Sequence, residues 1–105
     1  MAVTSTEASQ TLAREELLDE AKRIVSGVRD EAYGTPEDSF STIADFWRVY
    51  LARRGLIPAG VFLEPHDVAN MMSLLKLARL AADPSHEDSY VDLAGYAATG
   101  YEVSR

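Results

Sequence analysis

The spacing of apolar residues predicts a first amphipathic helix from about Thr11 to Ala32. Over this stretch, hydrophobic residues recur at the 3.6-residue period that places them on one helix face. The sequence YGTPED follows, and its glycine and proline are typical of a helix end. Residues 1–10 are rich in Ser, Thr and Ala and show no such period. We therefore expect a flexible tail over residues 1–10 and a single helical domain over residues 11–105.

A second helix is expected to begin near Ser39 and to end at about Gly55. Pro36 and the two acidic residues after it suit a helix N-terminus. Arg53 and Gly55 suit a C-terminus, where cations and a left-handed glycine are favoured. One face of this helix carries most of the aromatic bulk: Phe40, Ile43, Ala44, Trp47, Tyr50 and Leu51.

Pro65 is suited to the first turn of a third helix. Apolar residues occur almost all around this helix, a pattern typical of burial on several sides. These residues are Val68, Met71, Met72, Leu74, Leu75, Leu77, Ala78, Leu80 and Ala81.

A fourth helix is expected from His86 or Glu87 to about Thr99, ended by Gly100, with Ser85 and Asp88 spaced as a capping box. No segment alternates with a period of two. The four helices predict an all-α fold, a compact four-helix bundle with a buried third helix.

Composition narrows the classes of partner. The chain has no cysteine, which excludes a disulfide framework and a Cys-ligated zinc site. Ten Lys and Arg against 17 Asp and Glu give a net charge of −7. Binding of nucleic-acid polymers or anionic membranes relies on clustered positive charge, so we expect neither partner. No stretch reaches the ~20 apolar residues that span a bilayer, and a signal peptide is not recognisable, so we expect a soluble intracellular protein.

A basic pair and an acidic pair on adjacent helices are the main candidates for chemistry. Lys76 and Arg79 lie one turn apart, and their donors suit the phosphates of a nucleotide. The alternative is that both side chains extend past the core to solvent or pair with an aspartate. Asp88 and Asp92 are spaced i and i+4. Asp88 suits a helix cap, whereas Asp92 either pairs with a cation of the third helix or helps to hold Mg²⁺.

Aromatic residues and one glycine are candidates for contact with a base. Tyr33 and Tyr96 could stack on a nucleobase, whereas core packing is the expected role of Phe40 and Trp47. Gly95 lowers helix stability by about 1 kcal/mol relative to alanine, so it indicates close approach of a helix or a ligand. Neither histidine has the spacing of a metal site, and the glycine-loop and nucleophile motifs of common enzymes are absent.

Three blocks in order, YGTPEDSFSTIADFW, DVANMMSLLKLARL and HEDSYVDLAGYA, cover most of residues 33–97. They resemble a family of small helical proteins of bacteriophages and prophages that has no established activity. The layout is also distantly similar to MazG-like pyrophosphohydrolases, which cleave nucleoside triphosphates with Mg²⁺ held by ExxE and ExxD pairs. Here Glu16 and Asp19 have an ExxD-like spacing, and Asp88 and Asp92 are four residues apart rather than three.

Two functional hypotheses follow. The first is a phage-type, Mg²⁺-dependent nucleotide pyrophosphohydrolase, with Asp88 and Asp92 on the metal, Lys76 and Arg79 on phosphates, and a tyrosine on the base. The second is a non-catalytic oligomeric protein that sequesters a nucleotide through the same basic pair without metal. An inert bundle is the third possibility. We also expect a homo-oligomer, with a dimer as the simplest form, located in the cytoplasm of a bacterial host.

Overall fold

The computed structural model describes residues 5–28 and 34–105. Within these described residues, four α-helices follow one another: α1 (Ser5–Arg23), α2 (Pro36–Arg53), α3 (Pro65–Ala82) and α4 (Glu87–Ser104). No strand occurs in these described residues, so the expected all-α helical bundle is confirmed.

The first helix differs from the expectation at both ends. It begins at Ser5 rather than near Thr11, and regular α-helix ends at Arg23. One π-helical turn, Ile24–Val28, follows and contains a kink at which Gly27 has a φ of 129°. Residues other than glycine rarely adopt this conformation, so Gly27 allows the chain to change direction five residues before the predicted helix end at Ala32. Residues 29–33 lie outside the described part of the chain.

The acidic residues of α1 lie on a helix face that is open to solvent, with Glu15, Glu16 and Asp19 exposed. Arg23 Nη2 lies 2.6 Å from Glu20 Oε1, within a pair that is open to solvent. The hydrogen bond and charge of Arg23 lower the pKa of Glu20. This local pairing one turn apart is typical of a surface helix.

The N-terminus of α2 is fixed by its sequence. Thr35 is the N-cap, and its Oγ1 accepts a hydrogen bond from the Asp38 backbone N–H at 3.2 Å. Pro36 occupies the first turn, where its missing N–H costs no hydrogen bond. The helix therefore starts three residues before the expected Ser39.

Replacing Thr35 by alanine is expected to lower the free energy of unfolding by about 1 kcal/mol, because the Asp38 N–H loses its capping partner. Urea denaturation at fixed protein concentration measures this loss. Thr35→Ser retains the hydroxyl and should stay close to the parent protein. Equal stability of the alanine variant and the parent would contradict a capping role.

The core lies where α2, α3 and α4 meet. Phe40 and Ala44 of α2 pack with Val68 and Ala69 of α3 in a buried cluster. Partly buried residues surround it: Ile43, Trp47, Leu63, Met72, Tyr96 and Val103. The predicted core role of Phe40 is confirmed. The connector after α2 contributes Leu63, whereas its Leu56, Val61 and Phe62 are exposed.

Among the described helices, α3 and α4 make the most extensive contact with each other. Gly100 is buried in the interior of α4, which continues to Ser104. A Cβ at this position would lie 3.0 Å from the Ala69 Cβ. The prediction that Gly100 ends the helix is therefore wrong. Here the glycine permits close approach of two helices.

We expected α3 to be buried on several sides, but only one side of this helix is buried within the chain. Val68, Ala69 and Leu80 are buried, but Met71, Leu74, Leu75 and Leu77 expose 40%, 64%, 44% and 51% of their surface. Among the described helices, those that pack against α3 are α2 and α4, which cover only part of its circumference. Within the described residues, no helix combines the length and apolar character needed to cross a membrane.

Candidate functional site

An apolar cleft opens between the π-helical turn after α1, the start of α2 and the middle of α4. The walls are mainly hydrophobic and aromatic, with one carboxylate: Ile24, Val25, Phe40, Val91, Tyr96 and Asp92. The Phe40 and Tyr96 rings are tilted by 42° with their centroids 6.3 Å apart, a favourable aromatic arrangement. The cleft therefore combines apolar walls with a polar group that can orient a ligand.

Gly95 lies in the α4 wall of this cleft. A Cβ at this position would be 3.6 Å from Val25 Cγ1, an ordinary van der Waals distance. The expected close approach therefore occurs at Gly100 instead. At position 95, the missing side chain leaves space in the cleft that a longer side chain would fill.

Lys76 and Asp92 form an ion pair across the α3–α4 interface. Lys76 Nζ lies 2.7 Å from Asp92 Oδ2, and the two side chains are 12% and 36% exposed. The long aliphatic stem of lysine can pack along apolar surface while its ammonium reaches a partner. Of the alternatives for Asp92, the structure forms the ion pair. Because Asp92 also lines the cleft, this pair lies at the edge of the candidate site.

Arg79 and Asp88, the other members of the two predicted pairs, are exposed on α3 and α4. Asp88 does not form the expected capping box with Ser85. The N-cap of α4 is His86, whose Nδ1 accepts a hydrogen bond from the Ser89 backbone N–H at 3.3 Å. The Ser89 hydroxyl also lies 2.8 Å from this nitrogen, and Ser89 is fully buried. The role predicted for Asp88 is thus taken by a histidine.

The remaining predicted site residues have different positions. Tyr96 lines the cleft and is partly buried, whereas Tyr33 lies outside the described residues. Glu16 and Asp19 are exposed on α1. Among the residues that the structure describes, no group of three or more His, Asp and Glu side chains is placed to hold a metal ion.

Sequence reasoning missed the cleft itself. Its wall from the π-helical turn depends on the change of direction at Ser26 and Gly27. The Ser-Gly dipeptide inside an otherwise helical pattern was the available signal, because glycine disfavours the helix interior. The position of this wall opposite Tyr96 is set by tertiary packing, which a local pattern does not show.

Comparison with known proteins places this helical bundle among proteins of phages. The chain is 39% identical over 83 residues to the Gene 55 protein of Mycobacterium phage D29, a match that covers 79% of this chain and 50% of the relative. It is 40% identical over 81 residues to the Gene 55 protein of Mycobacterium phage L5, with 77% and 47% covered. The chain thus spans about half the length of these curated relatives.

The chain belongs to the family described as Domain of unknown function (DUF6378), whose model matches residues 16–104. The matched range includes the Lys76–Asp92 pair and every cleft residue named above. These findings confirm the resemblance to a phage protein family without an established activity. No solved structure matches the chain.

Proposed function

We propose that this chain is a nucleotide-binding protein that holds the base of its ligand in the apolar cleft and does not hydrolyse it. The observation that carries the proposal is the α4 wall of the cleft, which carries the Asp92 carboxylate and the Tyr96 ring, with the Phe40 ring of α2 packed against Tyr96. Most small-molecule sites share this composition, in which apolar surface supplies affinity and a few polar groups fix orientation.

The base is the part of a nucleotide that suits this cleft. Stacking on an aromatic side chain contributes about 1–3 kcal/mol per base. Tyr96 supplies such a ring, and the Asp92 carboxylate can accept hydrogen bonds from the amino groups of a base. Tyr33 directly precedes Gly34, a residue of the cleft wall, and its contact with the base stays a prediction.

The phosphates would contact Lys76 and Arg79. A lysine ammonium carries three donors, so Lys76 Nζ can retain its bond to Asp92 and still donate to a phosphate oxygen. Arg79 is one turn further along α3 and exposed, and a guanidinium provides a planar fork for phosphate oxygens. The ligand class is a free nucleotide in the cytoplasm of a bacterial host, and neither a nucleic-acid polymer nor a membrane is part of the proposal.

The alternative function is the Mg²⁺-dependent pyrophosphohydrolase suggested by the distant similarity to MazG-like enzymes. It would require Asp88 and Asp92, one turn apart on α4, to contribute oxygen ligands to the ion. In the structure, however, the Asp92 charge is already neutralised by Lys76 at 2.7 Å. A cation at Asp92 would compete with this ammonium, so the geometry favours binding without metal.

Replacing Gly95 by leucine is expected to weaken nucleotide binding at least tenfold, because the new side chain fills the cleft beside Tyr96. Titration calorimetry with the common ribo- and deoxyribonucleotides, in EDTA and in Mg²⁺, measures this effect. Ala98→Leu adds the same side chain at an exposed position on the same helix and should leave affinity unchanged. Circular dichroism verifies that both variants retain their helices.

The outcomes separate the two functions. Binding in EDTA that Gly95→Leu weakens and Ala98→Leu does not supports the binding protein. Release of pyrophosphate that requires both Mg²⁺ and Asp92 would replace the proposal with the hydrolase. Failure of every nucleotide to bind in either condition would overturn both.

A further inference from the structure

The exposed side of α3 has an unusual polarity for a surface helix. At 100° per residue, six residues at three- and four-residue spacings share the outward face. They are Met71, Leu74, Leu75, Ala78, Ala81 and Ala82, and all six are exposed. Lys76, by contrast, lies on the inner side at 12% exposure. A surface helix normally directs its leucines to the core, whereas Leu74 and Leu75 of α3 face outward.

The outward face of α3 is a contiguous apolar patch on the surface of the chain. Its three large residues, Met71, Leu74 and Leu75, follow one another along one side of the helix and expose 40%, 64% and 44% of their surface. Contiguous exposed apolar patches of this kind mark sites at which another protein surface binds.

The outward face of α3 is complementary to itself. Its N-terminal half carries the large side chains Met71, Leu74 and Leu75, and its C-terminal half carries Ala78, Ala81 and Ala82. In an antiparallel pair related by a two-fold axis, the large half of each helix lies against the small half of the other. This alternation lets ridges of one helix enter grooves of its partner. A two-fold interface requires a patch of this kind, which can pair with an identical copy of itself.

We propose that the outward face of α3 is the interface of a symmetric homodimer in which the two α3 helices pair antiparallel. The partner is a second copy of this chain. Dimerisation by this face buries apolar surface from both copies and does not depend on the nucleotide site. The dimer interface can therefore be tested independently of the proposed function.

Sedimentation equilibrium of the ligand-free protein over a range of micromolar concentrations tests the dimer. The parent chain should show a weight-average mass approaching twice that of the monomer at 10 µM, a concentration about tenfold above the dissociation constant expected of a moderate interface. Leu74→Glu combined with Leu75→Glu should weaken association at least 100-fold, because four charges would be buried between the helices. Leu18→Glu, at a similarly exposed leucine on α1, should leave the dimer intact.

A reporter cysteine tests the face directly, since the chain has no cysteine of its own. Ala78→Cys should give a covalent dimer with a short bismaleimide linker, and Ala98→Cys, exposed on α4, should give none at the same concentration. Monomeric parent protein at 100 µM, well above the range of a stable interface, would overturn the proposal. A dimer that survives both glutamate substitutions would also overturn it, because association would then use another face.

Discussion

Replacing Gly100 by leucine is expected to lower the free energy of unfolding by about 3 kcal/mol. Even a single Cβ at this position would lie 3.0 Å from the Ala69 Cβ, and Ala69 is fully buried in α3. The neighbouring atom is the Cβ of an alanine, which has no flexible end that can move aside. A longer side chain would therefore force α3 and α4 apart and disturb the packing of Val68 and Phe40 in the adjoining core.

Smaller substitutions at the two interior glycines of α4 provide the matched comparison. Gly95→Ala should raise stability by up to about 1 kcal/mol, because alanine favours the helix and its Cβ would lie at an ordinary 3.6 Å from Val25. Gly100→Ala gains the same propensity but must displace Ala69 by a few tenths of an ångström, so it should be less favourable than Gly95→Ala. Urea denaturation at one protein concentration measures all three variants. Equal midpoints for Gly100→Leu and the parent would show that the helices do not approach closely there.

The two glycines also show where prediction from sequence ends. From the local pattern, Gly95 is expected to mark a close approach and Gly100 a helix end, yet both lie in the interior of α4. Whether a glycine lies against another helix or beside an open cleft depends on contacts between residues far apart in the chain, here Gly100 with Ala69 and Gly95 with Val25. The helix itself is predictable, because periodicity and caps act within a few residues.

The starts of the helices also follow from signals within a few residues of the chain. Pro36 and Pro65 each occupy the first turn of a helix, as their fixed backbone angle predicts. The expected start of α4 at His86 or Glu87 is confirmed, but the expected cap at Ser85 is wrong, because the N-cap is His86, a residue type not usually favoured there. The predicted cap at Ser85 instead donates its hydroxyl to Asp83 Oδ1 at 3.0 Å.

The orientation of α3 was the least predictable feature of the fold. An almost wholly apolar helix has no polar stripe that indicates which side faces solvent. The side that packs on α4 is set by Ala69, which admits Gly100, and by Lys76, which reaches Asp92. The ion pair was among the alternatives that the sequence left open, since residues on different helices have no fixed spacing.

Removing the charge of Asp92 is expected to lower the free energy of unfolding more than removing the charge of Lys76. Asp92→Asn leaves the more buried ammonium without its anion and should lower the free energy of unfolding by about 2 kcal/mol. Lys76→Met leaves a carboxylate that is one-third exposed and can be solvated, so the loss should be about 1 kcal/mol or less. Lys76→Met combined with Asp92→Leu should recover most of the stability, because an apolar pair of similar volume avoids desolvation of two charges. The double-mutant cycle isolates the coupling between the residues.

The exposed Arg23–Glu20 pair on α1 is the control that distinguishes burial from distance. Its two charged atoms are 2.6 Å apart, slightly closer than the 2.7 Å of Lys76 and Asp92, but both side chains are about half exposed. If distance alone set the coupling energy, double-mutant cycles on the two pairs would give similar coupling energies. We expect a measurable coupling energy only for Lys76 and Asp92. Solvent screens the attraction between Arg23 and Glu20, so that attraction does not offset the entropy lost when the two side chains are ordered. Coupling energies that are the same at both sites would contradict a structural role for the ion pair and leave Asp92 free to act on a ligand or a cation.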